Sequence, residues 1–375
     1  MASLKVDKFD GIDTLGIEQT KVALRYSIKA DQPINLVGPP GVGKSAIVAD
    51  VSKEIGLTFE PLILSLCDPT DIGGFPVTYQ DREKGRSQVD RLPLGVIKRA
   101  CIEPVMLFLD ELSCAPPAVQ GAAMRLVYER WAGDVKLHVG TRIVAAMNQP
   151  DQAAGGWEIA LPLLGRMTQI KMRPLIKEIQ EYFYNLGDVA GPLRALATDL
   201  AATLEMAPDL MVIDPPAGAA AIGRAWGAPR AWERALKVCS CALEGGELDT
   251  SAIFAAALAG NVGEEGAAAY MTIRRVRHSL PSIKEILKNP KGAKLPQDQN
   301  SAIAVIGIIA QVAIQDPCPA WVYADRLSNE TRIAAMNTMG RFGIQKFTSS
   351  QFYKDADTAQ TKLLRSVGDA MRGTS

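Results

Sequence analysis

Apolar residues in this chain gather into short runs that recur between segments of helical periodicity. Candidate strands are 34–37, 59–66, 105–109, 142–147 and 168–172. The run Val105 to Leu109 is apolar at every position, as a parallel strand buried on both faces requires. Strands alternating with helices over 31–173 predict an α/β unit, a parallel sheet covered on both sides. Residues 1–30 read as a mixed, partly helical lead-in. After Pro174 the strand signals fade and Ala- and Leu-rich helical periodicity continues to about Cys241, with a break at Pro215-Pro216. Region 174–249 is therefore read as helical. Region 250–375 reads as a further, mostly helical stretch without a nameable motif, and no repeat of solenoid length is present.

The first strand leads directly into Gly38-Pro39-Pro40-Gly41-Val42-Gly43-Lys44-Ser45, which fits G-x-x-x-x-G-K-[ST], and a helical segment follows from Ala46. Strand, glycine-rich turn and helix is the context this phosphate-binding motif needs. Gly38, Gly41 and Gly43 let the backbone turn its N–H groups towards phosphate oxygens, and the helix adds its positive N-terminal end. Lys44 brings a point charge for β- and γ-phosphates, and the Ser45 hydroxyl suits a Mg²⁺ shell. The motif therefore predicts a bound nucleotide with Mg²⁺.

The apolar strand 105–109 ends in Asp110-Glu111, at the carboxyl end where open α/β sheets bind ligands. Asp110 is the candidate metal residue, and Glu111 the candidate for polarising an attacking water. An acid pair there also suits the start of the next helix; coexistence with the glycine-rich loop favours the catalytic reading. Strand 142–147 ends in Asn148, whose amide is suited to orienting water beside the phosphates, although Asn-Gln-Pro is also an ordinary turn signal.

Taken together, this spacing resembles that of AAA+ ATPases, and is most similar to the MoxR group, over roughly residues 30–240. Walker A falls at 38–45, Walker B at 105–111 and sensor 1 at Asn148. Ala115-Pro116-Pro117-Ala118-Val119-Gln120 is similar to the segment after Walker B in that group, and Asp68 to Phe75 to its Asp-Pro-Thr-Asp-Leu stretch. Leu163-Leu164-Gly165-Arg166-Met167 corresponds to Leu-Leu-Asp-Arg-Phe, with Gly165 and Met167 as departures, and puts Arg166 at the arginine-finger position. Gly227-Ala228-Pro229-Arg230-Ala231 resembles the sensor 2 motif, with Arg230 the nucleotide contact. The resemblance implies a nucleotide-binding core at 31–173, a helical lid at 174–249 and an extension of unknown role at 250–375. It further implies a homo-oligomeric, hexameric ring in which Arg166 acts in trans, on the neighbour's nucleotide. Without that context Arg166 reads as a surface residue at a helix cap and Arg230 as a solvated one.

Composition narrows the partners. Lys+Arg and Asp+Glu each number 41, so the formal net charge is zero, which disfavours bulk electrostatic capture of nucleic acid. The apolar run 302–310 is too short to span a membrane, and the N-terminus lacks a signal-peptide pattern. Six cysteines without a C-x-x-C pair and two histidines leave no zinc pattern. A cytoplasmic location with free thiols is expected.

Two inserts read as β-hairpins, 75–86 and 131–140. By resemblance they are the helix 2 insert and the pre-sensor 1 hairpin, facing a pore or client; otherwise they are plain surface hairpins. Trp131 reads as packing and His138 as a solvated or satisfied histidine rather than a base. Arg274, Arg275, Arg277, Lys284, Lys288, Lys291 and Lys294 form a basic stretch. Such a stretch suits nucleic acid, an acidic client or an anionic lipid surface, but no aromatic residues interleave to stack bases, and the favoured reading is an exposed, loop-like segment. The favoured function is remodelling, activation or maturation of a protein client. A partner with a von Willebrand factor A domain is implied by the resemblance alone. A nucleic-acid motor and a nucleotide-gated scaffold remain as alternatives.

Overall fold

The computed structural model describes residues 14–81, 86–93, 95–149, 156–188, 191–215, 224–277 and 279–340, with the side chains of 79–81 and 86–88 excepted. Two units are present: one comprises the chain to Leu175 with Ile213–Pro215, the other the remainder.

Among the described residues, the first unit is built on nine strands: β1 (Ile34–Val37), β2 (Thr58–Ile63), β3 (Phe75–Asp81), β4 (Arg86–Leu92), β5 (Val105–Asp110), β6 (Trp131–Ala132), β7 (Val135–Lys136), β8 (Arg142–Met147) and β9 (Thr168–Lys171). Five of them form a sheet of order β2-β5-β8-β1-β9, and every pairing in it is parallel. The five predicted strands are these five. Strand β2 is shorter than expected because the chain turns into a 3-10 helix at Leu64–Leu66. In β5 the residues Val105 to Leu109 are fully buried, and each such side chain contributes roughly 1.5–3 kcal/mol. The lead-in contributes helix Ile17–Lys29, which buries Thr20, Leu24 and Ile28 at a spacing of four.

Both predicted hairpins form, the first extending to Leu92. They are tied to each other: Arg91 N–H donates to Asp134 Oδ2 at 2.7 Å, and Asp134 N–H to Arg91 O at 3.2 Å. His138 lies beyond the short second hairpin rather than in a strand, and its Nδ1 accepts from Gly140 N–H at 3.0 Å.

The second unit is helical among the described residues. Helix Gln299–Gln315 is buried almost all round, from Ile303 to Ala310 without interruption, as an apolar helix inside a bundle must be. It packs with Trp321, Tyr323 and Met336 on one side and with Ala202 on another. The run 302–310 is thus a core helix, and no described helix is long and apolar enough to cross a membrane.

In the basic stretch Arg275, Lys284, Lys288, Lys291 and Lys294 are exposed as expected, the last two outside any helix, whereas Arg274 and Arg277 depart from the exposed, loop-like expectation. Arg274, Arg275 and Arg277 lie on helix Glu264–Arg277. Arg274 bridges Asp199 and Asp249 at 2.7 Å each, and Arg277 pairs with Asp199 as well. Asp199 is only 6% exposed, so its charge requires these partners. The charges were legible in sequence; their partner, 75 residues upstream of Arg274, was not.

Candidate functional site

Three adjacent strands, β5, β8 and β1, end on one edge of the sheet. Register sets Val37 opposite Met147, so Gly38 and Asn148 emerge side by side. The chain leaves β1 for β2 at one edge, while β9 lies on β1's other flank. The glycine-rich loop therefore opens at a topological switch point, the place where such sheets bind ligands.

The loop's geometry follows from its residues. Gly43 is the N-cap of helix Lys44–Glu54 at φ 92°, and no side chain caps that helix. A left-handed φ disfavours any residue with a Cβ, and the uncapped positive helix end suits an anion. Gly38 acts differently from the expectation. Its N–H donates to Met147 O at 3.2 Å, extending the sheet, and a Cβ there would lie 2.6 Å from Met172 O. Its value is close approach of backbone to backbone.

Lys44 is 8% exposed. Its ammonium reaches Gly38 O at 2.8 Å, Pro39 O at 2.9 Å and Asn148 Oδ1 at 2.9 Å, partners for all three of its N–H donors. Ser45 Oγ lies 3.1 Å from Asp110 Oδ2. A hydroxyl and a carboxylate in contact are hard oxygen donors of the kind Mg²⁺ takes, with water and phosphate completing its shell. The donor set therefore fits the expected nucleotide and metal.

Glu111 follows in left-handed backbone, φ 57°, a conformation that costs a non-glycine residue roughly 1–3 kcal/mol and clusters at functional sites. Its Oε2 accepts from Ser65 Oγ. Ser65 went unnoticed in the sequence, because a serine one turn beyond a strand carries no signal until β2 and β5 are known to be neighbours.

Arg166 lies on the same unit. Nη1 donates to Pro162 O at 2.6 Å and the guanidinium stacks 4.5 Å from the Tyr128 ring centroid. Gln120, 1% exposed, receives Ala160 N–H at 3.0 Å and donates to Ala115 O at 2.9 Å and Glu158 O at 3.3 Å. It thereby holds the strand of chain that leads to Arg166. Arg230 is on the second unit, exposed in the first turn of helix Pro229–Glu244. That helix is anchored by Trp232 Nε1 donating to Leu210 O at 2.8 Å.

Residues 33–167 match the family described as AAA domain (dynein-related subfamily). Among curated proteins, the peroxisomal Lon protease homolog 2 of Rattus norvegicus is 30% identical over 111 residues, 29% of this chain. The Homo sapiens protein matches to the same extent, and the chain spans 12% of the length of either relative. Among solved structures, a variant of Thermotoga maritima RuvB superposes with a TM-score of 0.40 at 14% identity, over 78% of this chain and 82% of that one. NtrX from Brucella abortus gives 0.39 at 15% identity, over 92% and 67%. The stretch 33–167 is thus similar to AAA domains of the dynein-related subfamily.

Proposed function

We propose that this chain hydrolyses ATP in a homo-oligomeric ring, six-membered as in the MoxR group, and uses the cycle to remodel, activate or mature a protein client. The observation that carries the reading is a convergence. Lys44 Nζ lies against Asn148 Oδ1, and Ser45 Oγ against Asp110 Oδ2, at the ends of three adjacent parallel strands. In this reading Lys44 binds the β- and γ-phosphates as a point charge, and Gly38 to Gly43 shape the loop around them. Ser45 and Asp110 hold Mg²⁺, which when bound neutralises charge on the phosphate oxygens. Glu111 polarises the attacking water and Asn148 helps to orient it.

Arg166 reaches the nucleotide of the next subunit, where a planar, permanently charged guanidinium stabilises the transferring phosphoryl group. Arg230 reads the nucleotide of its own subunit. Loss of the γ-phosphate then removes what these side chains hold, and the helical unit shifts against the core. A protein with a von Willebrand factor A domain is the proposed intermediary to the client, and the cytoplasm the proposed location.

The test is ATPase rate against protein concentration for wild type, Lys44→Ala and Arg166→Ala, and for the two variants mixed. A sigmoidal rise, loss of activity in each variant and partial recovery on mixing are expected. Flat specific activity with Arg166→Ala unaffected would remove the shared site and the ring with it.

A further inference from the structure

Asn35 is 0% exposed in the middle of β1, three residues before Gly38. A strand with a neighbour on either side ordinarily carries apolar residues there, and a buried amide costs free energy unless its hydrogen bonds are made. Asn35 Nδ2 donates to Gln169 Oε1 at 2.7 Å and lies 3.0 Å from Met147 Sδ. Its Oδ1 has no partner among the described residues. Gln169 stands directly opposite on β9, and its Nε2 donates to Leu164 O at 2.9 Å and Met167 O at 3.2 Å.

Those two carbonyls flank Arg166. They also set the polarity of the whole chain of bonds. Because carbonyls only accept, Gln169 must turn its NH₂ to them and its oxygen to Asn35, which must answer with its own NH₂. Swapping Asn35 for an apolar residue would leave Gln169 Oε1 without this donor. We propose that the Asn35–Gln169 amide pair is a positioning device that ties the turn bearing Arg166 to the strand bearing the phosphate-binding loop. Met147, on the same Asn35 amide, immediately precedes Asn148, so the pair touches both the strand end at the γ-phosphate position and the turn of Arg166. This inference rests on the reading of Arg166 as a residue shared between subunits.

Gln169 lies on the exposed edge strand, so its variants retain the fold. Gln169→Met removes donor and acceptor at similar length; Gln169→Glu keeps the acceptor for Asn35 and loses the donors to the two carbonyls. Both are expected to lower kcat by about 10- to 100-fold, the scale of a misplaced catalytic group, with KM for ATP unchanged; the melting temperature should hold in Gln169→Glu, which keeps Asn35 paired, and fall in Gln169→Met, which does not. Each variant is then mixed with Lys44→Ala or with Arg166→Ala subunits. Lys44→Ala subunits, which carry an intact Arg166 turn, should restore turnover at the variants' intact nucleotide sites. Arg166→Ala subunits should restore none. Wild-type turnover in both variants, or a loss that Lys44→Ala subunits fail to relieve while they do relieve Arg166→Ala, would overturn the positioning role and leave the Arg166 reading standing. Failure of Lys44→Ala to relieve Arg166→Ala itself would instead overturn the shared site.

Discussion

Ser65 Oγ donates a hydrogen bond to Glu111 Oε2, which joins the turn after β2 to the acid that follows β5. The carboxylate proposed to polarise water is therefore held from the neighbouring strand, while its own backbone sits at φ 57°. Glu111→Gly removes the carboxylate and the left-handed strain together. Turnover should be lost, and stability should rise by about 1 kcal/mol, read from urea unfolding. A loss of stability would mean that the Ser65 bond outweighs the strain. Ser65→Ala should alter turnover in the wild type and leave the residual turnover of Glu111→Gln unchanged.

Asn148 Oδ1, just beyond β8, accepts a hydrogen bond from Lys44 Nζ at 2.9 Å. Asn148→Leu removes that acceptor and the amide proposed to face the water. Turnover should fall by about 10²- to 10³-fold, the usual cost of one oriented polar group in an active site. Nucleotide affinity, measured by equilibrium titration, should fall far less, since Lys44 keeps Gly38 O and Pro39 O.

Asp199 receives Arg274, Arg277 and Gln311. Asp199→Ala removes the carboxylate shared by both arginines, leaving Arg274 with Asp249 and Arg277 with Gln311, and should destabilise the helical unit by about 1–3 kcal/mol. Arg275→Ala, on the exposed face of the same helix, should stay within about 0.5 kcal/mol of wild type. Chemical denaturation of the two variants side by side checks the contrast.

Cys239 and Cys241 are both free thiols, the first buried and the second exposed. Burial pushes the Cys239 thiol up to about 12, against a smaller opposing pull from Arg274. A raised thiol value means that the reactive thiolate is absent until pH approaches it. Cys241 should therefore react first with iodoacetamide, and raising the pH from 7 to about 9 should not bring Cys239 into reaction. Mass spectrometry of the modified peptides reads the order; early labelling of Cys239 would mean that the helix pair opens.

Much of the molecule follows from local sequence. Strand β5 is apolar at each buried position, and Gly43 carries the positive φ that only its missing side chain makes cheap. Lys44 and Ser45 are legible from the glycine-rich motif, and Asp110 and Asn148 from their places at strand ends, because parallel strands of similar length deliver their carboxyl ends to one edge. What the chain alone left open is whatever depends on which strands are neighbours. Ser65 meets Glu111 because β2 lies beside β5, and Asn35 meets Gln169 because β9 adds to the far side of β1. Arg274 and Arg277 looked like solvated charge until the helix carrying Asp199 packed against them. Periodicity and motif spacing report the local backbone and one face of an element. Which side chain completes a buried hydrogen bond or an ion pair is decided by tertiary packing, since its partner stands tens of residues away and carries no matching local signal.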